Sequence, residues 1–222
     1  MNSEKSDEFI KREVVDQLTW DNSLNSNDVF VSVSDGVVQL TGVVPTYIAK
    51  MAAEKNAFRV AGVTQVENLI EVESPTGITL PDDTEITNMI ESKLIWNDQI
   101  DATKITVETH NGIVTLSGNV NSYWEKNLAA DIAFATRGVL QVNNDLAVIV
   151  EKTFTDLDIA NDIKRAFKRN VLINPDKIDV SVTNGVAHLT GIVPFYSMKE
   201  EAFVTAMLTA GVRDVIDDIA IG

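Results

Sequence analysis

The sequence has no cysteine, which excludes disulfide bonds, thiol catalysis and cysteine-ligated zinc sites. Basic residues are few as well: 18 Lys and Arg stand against 33 Asp and Glu, a formal net charge of -15. A chain this acidic repels nucleic acid backbones and anionic membranes as a whole. We therefore expect no nucleic acid partner, and binding to an anionic surface would need a local basic patch.

Long apolar runs are also lacking. No stretch could span a bilayer, and the N-terminus, MNSEKSDEFIKREVVDQL, mixes acids with bases and has no apolar segment typical of a signal peptide. As written, the sequence predicts a cytoplasmic protein, free or peripherally attached to a membrane. A mature form from which a signal had been removed would look the same and would be periplasmic.

What the sequence does contain is a repeat. The phrase VVQLTGVVP at 37–45 recurs as IVTLSGNV at 113–120 and as VAHLTGIVP at 186–194. Its glycines lie 76 residues apart (42 to 118) and then 73 apart (118 to 191). Shared offsets without internal insertions predict three tandem domains, at 1–74, 82–150 and 153–222. The same offsets relate nine glycines with a predicted structural role: Gly36, Gly42, Gly62, Gly112, Gly118, Gly138, Gly185, Gly191 and Gly211.

The residue pattern of each copy predicts the element order α-β-β-α-β. Apolar residues four apart, such as Ile10, Val14 and Leu18, indicate an amphipathic first helix. An Asp-Gly or Asn-Gly pair, such as 35–36, predicts a two-residue type I′ hairpin between two strands. An alanine-rich second helix follows, which we expect to end at a glycine cap, Gly62 in the first copy. A third strand completes the copy.

The hairpin register predicts a role for Gly42. A two-residue turn places Val29 opposite Gly42, in the row of side chains that faces the core. We expect the missing side chain to let a helix backbone approach closely. The alternating serine, threonine and glutamine residues form the other sheet face, which we predict to be open to solvent or to a partner.

Three copies of this unit, each with its Asx-Gly hairpin, Leu-Thr-Gly or Leu-Ser-Gly phrase and alanine-rich helix, closely resemble the BON domain over nearly the whole chain. The second copy departs in having Asn121 where the others have Pro45 and Pro194. The resemblance implies an α+β fold of three tandem units, each with two helices packed on one face of a three-stranded mixed sheet. It also implies a non-enzymatic protein of the osmotic or stress response that binds phospholipid or envelope surfaces.

Candidate chemistry is sparse. The two histidines, His110 and His188, are predicted on the open sheet faces near Glu108 or Asp179, where a divalent cation could bind between molecules. Solvated histidines are the simpler alternative. Because the two do not occupy equivalent positions, we predict no repeated catalytic site, no resident metal and no cofactor.

Two acidic pairs invite an acid-base interpretation, but each has a structural alternative. Asp82 and Asp83 stand where a helix begins and predict N-terminal capping. Asp217 and Asp218 lie in or beside the last strand, and we interpret them as a charged sheet edge that discourages strand pairing.

One basic patch does occur. Residues 152–222 are nearly neutral, with 8 bases and 10 acids. One predicted helix there carries two i,i+4 rows of bases beside its apolar stripe, formed by Lys164, Arg165, Lys168 and Arg169. They could bind anionic lipid headgroups, or they could be a solvated helix face. Trp20 and Trp96 end the matching helices of the other copies and could be interfacial anchors, or could pack in a core or between domains.

Two hypotheses of function remain. In the first, the protein binds anionic phospholipid through the third copy, and the other copies contribute spacing or avidity. In the second, it is a scaffold that self-assembles into homo-oligomers through its sheet faces and edges, assisted by a divalent cation.

Overall fold

The computed structural model describes residues 6–21, 28–73, 80–150 and 154–222, and it shows three units of one design. The predicted domain boundaries at residues 74 and 153 lie outside these described residues. The first unit contains α1 (Asp7–Trp20), β1 (Val29–Ser34), β2 (Val37–Val44), α2 (Tyr47–Phe58), β3 (Gln65–Asn68) and β4 (Glu71–Val72). The second contains α3 (Asp83–Ile95), β5 (Ile105–His110), β6 (Ile113–Val120), α4 (Tyr123–Phe134), β7 (Gln141–Asn144) and β8 (Ala147–Val148). The third contains α5 (Asp156–Arg169), β9 (Ile178–Thr183), β10 (Val186–Val193), α6 (Tyr196–Met207) and β11 (Asp214–Ile221).

The predicted α+β class is confirmed. In every unit the middle strand pairs antiparallel with the strand before it and parallel with the strand after it, so each sheet is mixed. Two helices cover one face of each sheet, and each unit has its own cluster of buried apolar residues. The predicted stripe of Ile10, Val14 and Leu18 is buried in the first of these clusters.

The hairpin register is confirmed as well. Val29 pairs with Gly42 and Val33 with Val38, as a two-residue turn requires. Asp35 and Gly36 both have positive φ, 53° and 74°, which is the type I′ conformation. The other two hairpins repeat this geometry.

A carboxylate holds each hairpin turn. Asp83, in the first turn of α3, accepts hydrogen bonds from the backbone N–H groups of Asn111 at 2.8 Å and Gly112 at 2.9 Å. Asp82 meanwhile caps the helix in a capping box with Glu85, so the predicted capping is confirmed for Asp82. Asp7 and Asp156 hold the turns of the other two units in the same way.

Two predictions about glycine are wrong. No α-helix approaches Gly42: a Cβ at this position would overlap the carbonyl oxygen of Asp28, just before β1, so the partner strand makes the close contact. Gly62 does not cap α2, because that helix already ends at Phe58 with Arg59 as its C-cap. Gly62 instead takes a φ of 101° in the following turn, and its carbonyl lies against Gly36 of the hairpin.

The third strand is interrupted in the first two units. The Oδ1 atom of Asn68 accepts a hydrogen bond from the N–H of Ile70, while its Nδ2 donates to the carbonyl of Lys50 at 2.9 Å. β3 ends at Asn68, and β4 starts at Glu71. In the third unit Asp217 takes the equivalent place and accepts from the N–H of Ile219 within the unbroken β11.

The contacts of Asp83 generate a prediction about acid stability. The two backbone N–H groups of Gly112 and Asn111 lower the pKa of Asp83 below its usual 3.8 because they favour the charged carboxylate. Because the pKa of Asp83 is lower in the folded state, this stabilisation is complete at a pH above the usual pKa. It is lost as the pH falls through the pKa of the folded state. We expect Asp83→Asn to lower the Tm at neutral pH and to weaken the loss of Tm on acidification.

The measurement is thermal unfolding by circular dichroism across acidic pH. Asp98→Asn is the matched control, because it removes the same charge in the same unit from an exposed side chain. If both variants show the same pH profile, the carboxylate of Asp83 does not stabilise the turn.

Candidate functional site

The second helix of each unit makes contacts on two sides, with its own sheet and with the other units. Its alanines, such as Ala49, Ala53 and Ala57 in α2, face the helix's own sheet and are fully buried. Small side chains let the helix lie close to the sheet. The aromatic residues at its two ends, Tyr47 and Phe58, contact the other units.

These aromatic contacts form a closed cycle. Tyr47 of the first unit stacks on Phe134 of the second, with ring centroids 4.1 Å apart and planes at 11°. Tyr196 of the third unit stacks on Phe58 of the first, at 4.4 Å and 10°. In each case a tyrosine at the start of one second helix lies on an aromatic ring at the end of another.

The remaining contact closes the cycle in a different geometry. Tyr123 of the second unit packs against the core of the third and meets Phe203 edge-on, with centroids 6.5 Å apart and planes at 74°. Met207 occupies the position in α6 that Phe58 and Phe134 occupy in α2 and α4. The three units therefore form a ring of head-to-tail contacts.

A cleft of about 770 Å³, open to solvent on one side, lies between the three units. All three second helices line it, with Tyr47 and Met51 from α2, Phe134 from α4 and Tyr196 and Phe203 from α6. Its polar groups include the carboxylates of Glu54, Asp131, Glu200 and Asp217 and the ammonium groups of Lys55 and Lys199.

Ion pairs neutralise part of this charge. Lys55 Nζ lies 2.5 Å from Glu200 Oε1, joining the first unit to the third. Lys199 Nζ lies 3.6 Å from Asp217 Oδ2 and donates a hydrogen bond to the carbonyl of Ile219 at 2.6 Å. Burial and the negative charges of Glu200, Glu54 and Asp217 raise the pKa of Tyr196 to about 12.

The predicted basic patch is on the surface of α5. Lys164, Arg165, Lys168 and Arg169 are all exposed, and Arg165 forms an ion pair with Asp162 one turn away. Two apolar residues follow directly after this helix and its cap: Val171 is 97% exposed and Leu172 is 58% exposed. The basic residues at the end of α5 thus lie beside an exposed apolar tip.

The ends of the other first helices are also exposed and apolar. Trp20 is 84% exposed and Trp96 is 88% exposed, while Ile95, beside Trp96, is 71% exposed. The alternative in which these tryptophans pack in a core or between units is therefore wrong. In each unit, large apolar side chains at the end of the first helix or directly after its cap face solvent.

The histidines lie in different sheets. His110 is exposed at the end of β5, and His188 lies on β10 with its Nε2 2.6 Å from Asp218 Oδ2. The carboxylate beside His188 is thus Asp218 rather than the expected Asp179. Within the described ranges no three His, Asp or Glu side chains come together as a metal site.

The second acidic pair is divided between the two faces of one strand. Both residues lie in β11, which is an edge strand as expected. Asp218 is exposed beside His188, but Asp217 is half-buried against Lys199, and burial raises the pKa of its carboxyl. Only Asp218 fits the interpretation as exposed edge charge.

The residues of the ring were missed by sequence reasoning. Tyr47, Tyr123 and Tyr196 are separated by the repeat offsets of 76 and 73 residues. The carboxylates that accept hydrogen bonds from the hairpin turns, those of Asp7, Asp83 and Asp156, are separated by the same offsets. The shared offsets were the sign in the sequence that these residues have a structural role in every copy.

None of the helices in the described part of the chain combines the length and apolarity needed to cross a membrane.

Comparison with known proteins gives matches over all three units. The family model described as BON domain matches residues 6–74, 82–149 and 155–222. Osmotically-inducible protein Y of Escherichia coli is 34% identical over 143 residues, covering 63% of this chain and 71% of that protein. The 21 kDa hemolysin of Actinobacillus pleuropneumoniae is 33% identical over 138 residues, 61% of this chain and 71% of that protein. Outer membrane lipoprotein DolP of Haemophilus influenzae is 32% identical over 138 residues, with coverage of 61% and 71%.

The environment of the three tyrosines yields a second prediction. Burial raises the pKa of Tyr47, of Tyr123 and above all of Tyr196, which reaches about 12 from the usual 10.0. The contacts between the units favour the neutral form of each phenol. Their contribution to the free energy of unfolding is therefore complete below the usual tyrosine pKa, and it declines as the pH rises from about 10 to about 12. In a titration followed by absorbance, we expect tyrosinate to appear at a higher pH in the folded chain than in urea, where it should appear at the usual pH. We expect Tyr196→Phe to remove the part of this absorbance that appears at the highest pH. Folded chains that titrate at the usual value would contradict the ring.

Proposed function

Because the chain belongs to the BON domain family, with three copies of the domain in tandem, we propose that it is a non-enzymatic stress-response protein that binds anionic phospholipid at an envelope or membrane surface. The names of two relatives, an osmotically-inducible protein and an outer membrane lipoprotein, support the stress and envelope parts of this proposal. The lipid part depends on the surface of the chain itself.

One observation carries the lipid proposal: the basic end of α5 lies next to an exposed apolar tip. Lys168 and Arg169 occupy the last turn of α5, and Val171 and Leu172 follow the cap. Basic groups gain about 1 kcal/mol each near an anionic bilayer, while apolar side chains gain by entering the acyl boundary. A surface that combines both is suited to the headgroup region better than to water.

The other two units extend this contact. Trp20 and Trp96 occupy the positions equivalent to Arg169, and amphipathic indole rings favour the membrane-water interface. Equivalent positions of three like units that close into a ring lie at a similar level along its axis. We therefore expect the three helix ends to reach one flat bilayer together, so that three weak contacts act with avidity.

The electrostatic part is tested by vesicle co-sedimentation. We expect Lys168→Glu with Arg169→Glu to weaken binding to anionic vesicles by at least 2 kcal/mol, roughly thirtyfold, since two favourable groups are lost. Lys11→Glu with Arg12→Glu is the matched control, because it reverses two adjacent exposed bases on the first helix of another unit. Wild-type binding should weaken with salt and be absent on neutral vesicles. Equal loss in both variants, or binding that ignores salt, would contradict the proposal.

The apolar part is tested by tryptophan emission. In a Trp124→Phe background the remaining indoles are Trp20 and Trp96, and we expect their emission to shift to the blue on anionic vesicles as they leave water. Trp20→Ala with Trp96→Ala should weaken binding while the α5 surface stays intact. Emission that does not change while the protein binds would show that these helix ends stay outside the bilayer.

Self-assembly is the second candidate function. The predicted contact through sheet faces and edges gains no further support, but the contacts between units provide a different surface through which two molecules could associate.

A further inference from the structure

The ring has one closure that no linker reinforces. The first and second units, and the second and third, are adjacent in the chain, whereas the contact between the third and the first joins opposite ends of the sequence. That closure consists of the Tyr196–Phe58 stack and the half-exposed Lys55–Glu200 ion pair.

Charge makes this closure selective. The positions equivalent to Lys55 are Asp131 in the second unit and Val204 in the third, and those equivalent to Glu200 are Met51 and Asn127. The end of the third unit that carries Glu200 would therefore meet a like charge at Asp131 and an apolar side chain at Val204. Only the first unit offers it a base.

We propose that this closure is exchangeable between molecules: the third unit of one chain binds the first unit of a second copy, through the same Tyr196–Phe58 and Lys55–Glu200 contacts. Two chains that exchange their third units in this way form two rings of three units, each built from the first and second units of one chain and the third unit of the other, so every contact of the monomer is made again. Exchange of identical contacts is a low-cost route to a dimer, because the contacts within and between chains are the same. In the monomer the linkers hold the two ends near each other, so the high effective concentration favours the closed ring until the protein concentration is comparable.

Two complementary charge reversals test the proposal. In Lys55→Glu alone, and in Glu200→Lys alone, any closure within one chain or between identical chains brings like charges together. In a mixture of the two variants, both closures between unlike chains bring opposite charges together, the mutant Glu with the mutant Lys and the native Lys55 with the native Glu200. We expect mixing to raise the fraction of a species of twice the chain mass about tenfold above either variant alone, measured by size-exclusion chromatography with light scattering. The double variant carrying both reversals restores the closure within one chain and should behave as the wild type.

No dimer in the mixture, or an equal amount in each variant alone, would overturn the proposal. Circular dichroism checks that each variant is folded. A second measurement needs no substitution: concentrated wild-type chains, half of them labelled with ¹⁵N, are annealed and then treated with a carbodiimide, which joins an ammonium and a carboxylate in contact. The predicted product is a Lys55–Glu200 crosslink that combines one light and one heavy peptide. Crosslinks of unmixed isotope only would overturn the proposal.

Discussion

The structure depends on the second helix of each unit making contacts on two sides, with its own sheet and with the other units. A helix that covers only its own sheet needs one apolar stripe, and the buried alanines of α2 supply it. The tyrosine at the start of the helix, together with Phe58 in α2, Phe134 in α4 or Phe203 in α6, provides a second surface that the unit cannot cover alone. Because each of these tyrosines meets an aromatic side chain of another second helix, the three units close into a ring.

Closure of the ring decides which surfaces remain available. The second helices line the open cleft between the units, while the ends of α1 and α3 stay exposed with large apolar side chains. Exposure of that kind is costly in water unless a partner covers it, so these ends are the natural place to look for binding. The third unit differs from the others in placing bases at this end, on a chain that is acidic as a whole.

The sequence was sufficient to predict what depends on local pattern. The Asx-Gly pairs set the hairpin register, and the four-residue spacing of Ile10, Val14 and Leu18 set the buried face of α1, because both signals lie within a few residues. The end of α2 could not be predicted from Gly62, since that helix stops four residues earlier and the glycine serves the contact with the hairpin instead. The basic residues of α5 could be placed on an exposed face, but the apolar tip beside them depends on how the loop leaves the helix.

The ring lay beyond sequence reasoning for a different reason. Equivalent tyrosines were visible, yet a contact between units depends on how three separate domains are arranged, and periodicity contains no information on that. The most direct test is small-angle X-ray scattering of the dilute chain. A closed ring predicts a radius of gyration near that of one compact domain of this length, roughly 17 Å. A much larger radius, as three units strung along their linkers would give, would contradict the ring and every surface assignment derived from it.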